Sequence, residues 1–232
     1  MNDPVERVAR RAFLAGAVTG GAGLLLVAPA ALAKKPPAQE QDEVSPAEDL
    51  MREHGVLERI LLVYEEVSRR AGAGQEIPAN VVPDTSGLVR RFVEDYHEKL
   101  EEDFLFPRFE KAGRLVELVA TLRAQHRRGR SLTEQVQRLG ALKGGGDRRQ
   151  LAELLRAFIR MYRPHAARED TVLFPALRGL VGDKAYLELG AQFEDKEHAL
   201  FGAHGFEEIV AQVAKLEQAV GIDDLAAFTP KG

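Results

Sequence analysis

Apolar and polar positions follow a helical rhythm along most of this chain. The row Leu50, His54, Leu57, Leu61, Tyr64 advances by alternating steps of four and three. So does Leu151, Leu155, Phe158, Tyr162, His165, Glu169, Val172. Val93, His97, Leu100, Phe104 and Leu115, Val119, Leu122, His126 repeat the pattern. Such steps hold a row on one helix face. They predict helices over 46–71, 85–106, 114–141 and 148–174, with two more over 183–201 and 206–220. Each of the first four stripes carries a histidine.

The punctuation agrees with these limits. Ser45-Pro46-Ala47-Glu48 is a capping box with proline at the first helical position. AGAGQEIPANVVPDTSG reads as a loop, and KGGGD as a break in which Asp147 caps the next helix. Pro107 and Pro175 are expected to stop the second and fourth helices, and Pro164 to kink or widen the fourth. The expected fold is all-α: an up-and-down four-helix bundle over residues 46–180, with an extra C-terminal helical extension, 181–232, packing on it. The closing GIDDLAAFTPKG is expected to pack back through Leu225 and Phe228.

Residues 1–33 break the rhythm. They start polar, carry Arg10-Arg11, turn apolar and glycine-rich from Ala12, and end Ala31-Leu32-Ala33. That is the layout of an export signal peptide, and Arg10-Arg11 followed by Phe13-Leu14 resembles the twin-arginine type. The expected location is therefore periplasmic or extracellular, with no stable membrane insertion after signal cleavage. Residues 34–45 read as a flexible leader.

Composition narrows the chemistry. The chain has no cysteine, which removes disulfides, thiolate metal sites, cysteine nucleophiles and lipoprotein acylation. A net charge of −4 offers no nucleic-acid footprint. Any metal must be held by histidine and carboxylate.

HEKLEEDFLFP (97–107) and HAAREDTVLFP (165–175) are nearly the same string. The first four helices thus read as two hairpins, each with a lone histidine on its first helix and H-x-x-x-E on its second. Residues four apart point the same way on a helix. Antiparallel pairing of the hairpins would bring His54, His97, Glu101, His126, His165 and Glu169 to one level of the core. Burying so many polar groups is costly unless they are paired or bind a metal. Nitrogen and oxygen donors without sulfur suit iron, manganese or zinc, and paired carboxylates at a bundle centre favour a dinuclear site.

With these residues the chain resembles hemerythrin-like (HHE cation-binding) domain proteins over about residues 46–176. The resemblance implies a non-haem centre of two irons per chain with bridging carboxylates, which reacts with dioxygen, peroxide or nitric oxide. The six residues above stand at its ligand positions. Sensing or storing iron is a further role in this reading. A binding protein is expected rather than an enzyme; turnover would make it a di-iron oxidoreductase or peroxidase. A helical interaction module with structural zinc, or with no metal, is the competing reading. Oxygen carriers of this kind have another histidine four residues after the one on the third helix. Here Arg130 stands in that place and cannot be a ligand.

Several neighbours complete the candidate set. Asp170 competes with Glu169 as the bridging carboxylate, and Glu194 and His198 are candidates for additional metal ligation. Glu98, Glu102 and Tyr162 are placed around the metal rather than on it. Arg127, Arg128 and Arg130 read as a charged helix face.

Overall fold

The computed structural model describes residues 44–141 and 147–230. The expected signal peptide (1–33) and nearly all of the expected leader lie outside the described residues. Among the described residues every regular element is helical.

Helix α1 spans Pro46–Gly72. Ser45 Oγ caps it by accepting from the Glu48 N–H at 3.3 Å, with Pro46 at the first position. Helix α2 is one continuous rod of five stretches: α-helical Val81–Leu88, π-helical Val89–His97, α-helical Glu98–Leu100, π-helical Glu101–Leu105 and α-helical Phe106–Lys111. Helix α3 spans Val116–Gly140. Helix α4 joins Arg148–Arg168, π-helical Glu169–Leu173 and Phe174–Val181. Asp147 caps α4, accepting from the Arg149 and Gln150 N–H groups at 2.9 and 3.0 Å. Helices α5, Asp183–Phe201, and α6, Gly205–Val220, follow.

Three expectations need correction. First, Pro107 and Pro175 do not end their helices; each opens an α-helical stretch directly after a π turn. In the wider turn the amides of Phe106 and Phe174 reach five residues back, to the carbonyls of Glu101 and Glu169. Proline has no N–H to lose at this change of register, and the displaced preceding carbonyl leaves room for its ring. Second, the helix does not widen at Pro164: α4 stays α-helical through it, and the wider turn begins five residues later, at Glu169. Third, the tail does not pack back, for Leu225 is 82% and Phe228 50% exposed. Helix α2 also starts before the expected residue 85. Val81–Leu88 is helical, and Pro83 lies in its first turn, where a missing N–H costs nothing.

Helix α1 packs against α4 and α6, α2 against α3, and α3 against α4; α5 and α6 lean on α1 and on each other. The shared core includes Leu50, Ile60, Phe92, Phe158, Phe193 and Val213, all buried. Gly182, at φ 80°, lets the chain reverse tightly between α4 and α5. None of the described helices is long and apolar enough to cross a membrane.

Candidate metal centre

Four histidines, one from each of α1 to α4, meet at one level of the core with Glu101 and Glu169 between them. All six side chains are buried. His54 Nε2 lies 3.0 Å from His97 Nε2, and His126 Nε2 lies 3.2 Å from His165 Nε2. Glu101 reaches both pairs, at 3.8 Å from His97 Nε2 and 3.4 Å from His126 Nε2. Glu169 does the same, at 3.4 Å from His54 Nε2 and 3.0 Å from His165 Nε2. The result is two groups of close ligand atoms, Glu101/His126/His165/Glu169 and His54/His97/Glu101.

Each imidazole is aimed by an oxygen on its outer side. His54 Nδ1 meets Asp170 Oδ1 at 2.7 Å, and His97 Nδ1 meets Glu53 Oε2 at 2.6 Å. His126 Nδ1 meets Glu102 Oε1 at 3.1 Å, and His165 Nδ1 meets Gln125 Oε1 at 2.9 Å. With Nδ1–H donated outwards, every Nε2 can turn a lone pair inwards, the arrangement in which a ligating histidine is held. The phenyl rings of the two Leu-Phe-Pro strings close the site. Phe106 stacks on His126 at 5.4 Å, and Phe174 on His54 at 5.5 Å.

The donor set fits a pair of metal ions on two independent grounds. No carboxylate oxygen of Glu101 or Glu169 makes a well-aligned hydrogen bond among the described residues, although all four are buried; the Nε2 atoms of the four histidines are their nearest polar neighbours. An unpaired buried carboxylate is expensive, and a cation is the natural compensation. The opposed Nε2 pairs likewise need a positive centre between them. Without metal, protons serve that need. Burial opposes charge on His54, yet Asp170 and Glu169 carry its pKa up to about 9. Burial, together with His54, drives His97 well below its usual value, and burial lowers His126 to about 4. Burial and the neighbouring Glu169 push Glu101 well up; against burial, His165 and His54 hold Glu169 low.

The structure separates the remaining candidates. Glu169 points into the centre, whereas Asp170 is part-exposed and binds the back of His54. Glu194 and His198 are exposed on α5 and belong to none of the close ligand groups. Tyr162 Oη donates to Glu98 Oε1 at 2.6 Å. Arg130, expected on a solvated face with Arg127 and Arg128, is instead half-buried. It pairs with Glu98 Oε2 at 2.7 Å and Glu102 Oε1 at 2.8 Å, while Arg127 and Arg128 are exposed. Burial opposes the charge on Glu102, but His126 and Arg130 hold its pKa below the usual range.

Sequence reasoning missed Glu53, Gln125 and Gly129. Glu53 and Gln125 each directly precede a site histidine, and an adjacent position on a helix gives no sign of facing the same group. Gly129 had a usable signal, as a glycine inside a long helix that propensity disfavours. It leaves room for Tyr162, whose ring and hydroxyl a Cβ would strike. On the surface between α3 and α4, a cleft of about 370 Å³ is lined by Gln125, His165, Thr121 and Arg168 among others, so it reaches the back of the centre.

The hemerythrin HHE cation-binding domain matches this chain twice, over residues 45–177 and 119–229. The second match starts in α3 and takes in α5 and α6, as an internal repeat of helical hairpins allows. Uncharacterized proteins of Mycobacterium bovis and of two strains of Mycobacterium tuberculosis are each 47% identical over 197 residues, covering 84% of this chain and 77% of theirs. No solved structure matches the chain significantly. The profile spans more than half of the sequence, so the chain belongs to the hemerythrin HHE cation-binding domain family.

Proposed function

We propose that this protein is an exported dinuclear non-haem iron protein. In this reading α1 to α4 form an up-and-down four-helix bundle around the metals. His54 and His97 would hold one ion and His126 and His165 the other, with Glu101 and Glu169 shared between them. The observation that carries it is the set of four buried carboxylate oxygens of Glu101 and Glu169 ringed by four Nε2 atoms, none in a well-aligned hydrogen bond. A pair of irons held by these residues would supply redox chemistry and binding of dioxygen, peroxide or nitric oxide.

The chain's own residues define what such a centre could do. Asp170, Glu53, Glu102 and Gln125 fix the four imidazoles, while Phe106 and Phe174 exclude water from the ends of the site. Arg130 stands where oxygen carriers have a further histidine, and it neutralises Glu102 instead of binding metal. The centre therefore has one imidazole fewer than a carrier, which favours reaction with, or sensing of, a small molecule over reversible oxygen transport. Export by the twin-arginine route is part of the proposal and rests on Arg10-Arg11 and the apolar run after them.

The test is metal content by mass spectrometry on protein purified without chelator, with an absorption spectrum taken under air. Two irons per chain with oxo-to-iron bands support the reading. Zinc, or no metal after anaerobic reconstitution with ferrous iron, overturns it.

A further inference from the structure

The four imidazoles of the centre are not aimed alike. His54 and His97 each turn Nδ1 to a carboxylate, Asp170 Oδ1 at 2.7 Å and Glu53 Oε2 at 2.6 Å. Neither acid pairs with lysine or arginine among the described residues. His126 and His165 are held by longer bonds. Glu102 Oε1 stands 3.1 Å from His126 Nδ1, and this carboxylate is shared with Arg130 at 2.8 Å and Lys99 at 2.6 Å. Behind His165 stands a neutral amide, with Gln125 Oε1 at 2.9 Å from Nδ1. Glu101 and Glu169 reach both pairs, so the contrast lies in the groups behind the rings.

Gln125 does one thing well and another poorly. With its carbonyl oxygen towards Nδ1 it accepts the Nδ1–H, and Nε2 keeps a lone pair for a cation; with its NH2 group there, the proton would sit on Nε2 and block it. A hydrogen bond to a neutral amide, however, is about half as strong as one to a carboxylate. His165 therefore gains less basicity from its partner than His54 and His97 gain from theirs. The protein also opens on this side. Half-buried Gln125 and buried His165 both line the cleft of about 370 Å³ between α3 and α4, together with Thr121, Leu122, Pro164 and Arg168. Arg168 is exposed there and joins Arg130 and Lys99 in placing positive charge on the side of the second pair, where it opposes a bound cation.

We propose that Gln125 is a positioning residue that divides the centre into unequal halves: the position at His126 and His165 binds its cation more weakly than the one at His54 and His97, and exchanges it with solution through the cleft beside Gln125. The inference rests on the dinuclear reading of the site and adds to it which half loads last and empties first. Its carrier is the partner of His165, an amide where His54, His97 and His126 have carboxylates.

The experiment titrates Co²⁺ anaerobically into the metal-free full chain in competition with a chelating indicator, and resolves the dissociation constant of each step. The expected result is two Co²⁺ per chain with constants about tenfold or more apart. Gln125→Glu, nearly the same in size, should tighten the weaker step about tenfold, and Gln125→Leu should loosen it about tenfold, with the tighter step unchanged in both. A gain in affinity is a result that lost packing cannot produce, and thermal melts of the metal-free variants confirm that they fold. Two equal steps in the parent chain, or a Gln125→Glu variant in which the weaker step does not tighten or both steps shift alike, overturns the proposal and leaves the two-metal reading standing. Fewer than two Co²⁺ per chain overturns that reading and this one with it. A chain that binds two Co²⁺ unequally but takes up no iron loses only the assignment of iron.

Discussion

His54 Nε2 and His97 Nε2 face each other at 3.0 Å in a buried site. Their Nδ1 atoms are engaged by Asp170 and Glu53, so the contact is relieved only by a proton or a cation between the rings. In the metal-free chain the proton sits on His54, whose pKa is about 9, and burial keeps Glu101 protonated well above its usual range. Loading with divalent metal at pH 7 should therefore release protons, at least one from His54 and one from Glu101. An indicator dye in weak buffer measures this. Metal at a hundred times its Kd should add about 2.7 kcal/mol of stability, read as a fall in Tm on chelation.

Gly129→Ala sets two effects against each other. Alanine favours a helix interior by about 1 kcal/mol over glycine. The new methyl group, however, strikes the Tyr162 ring, which is buried and fixed by its bond to Glu98. Overpacking typically costs about 1–3 kcal/mol, so net destabilisation is expected from denaturant unfolding. The double variant with Tyr162→Phe should recover part of it.

Arg130→Gln removes the cation shared by Glu98 and Glu102. Glu102 keeps Lys99 at 2.6 Å, but buried Glu98 loses its cation, at a cost of about 1–3 kcal/mol. His126 loses the anchor of its Nδ1 partner as well, and metal affinity should drop by about 10–100-fold. Arg130→Lys cannot span both carboxylates and should fall between the two. Equilibrium unfolding and metal titration check both numbers.

In the metal-free chain, Asp49→Asn should reveal a pH-dependent strain. The Asp49 pKa rises from 3.8 to about 7 on folding, through burial and the facing Glu53, Glu197 and Glu194, with Arg52 opposing. A raised carboxyl contributes full stability below its unfolded pKa and loses it as pH climbs through the folded one. Asparagine should thus help little at pH 4 and clearly at pH 8. Urea midpoints at the two values test it, and a variant that gains equally at both would contradict the account.

Much of this site could be read from the chain because its parts obey helical spacing. Four histidines in apolar stripes and two H-x-x-x-E pairs needed only the period of the helix to fall on one face. Asp170 and Glu169 were indistinguishable by that period, and the π turn starting at Glu169 is what the α-helical period omits. The same omission made Pro107 and Pro175 look like terminators. Arg130 looked like a surface charge because its partners, Glu98 and Glu102, come from another helix, and pairings between helices leave no mark on spacing. The tail was misread since an apolar composition alone does not create a surface to bind.

The two central carboxylates come from opposite hairpins. Glu101, from α2, reaches His126 in the second hairpin, and Glu169, from α4, reaches His54 in the first. Each hairpin supplies two imidazoles and one carboxylate, and borrows the second carboxylate from the other. Full metal affinity would therefore be a readout of assembly: a half-folded or truncated chain keeps only three of the four donors around each position and should grip a metal ion more weakly than one whose halves have docked.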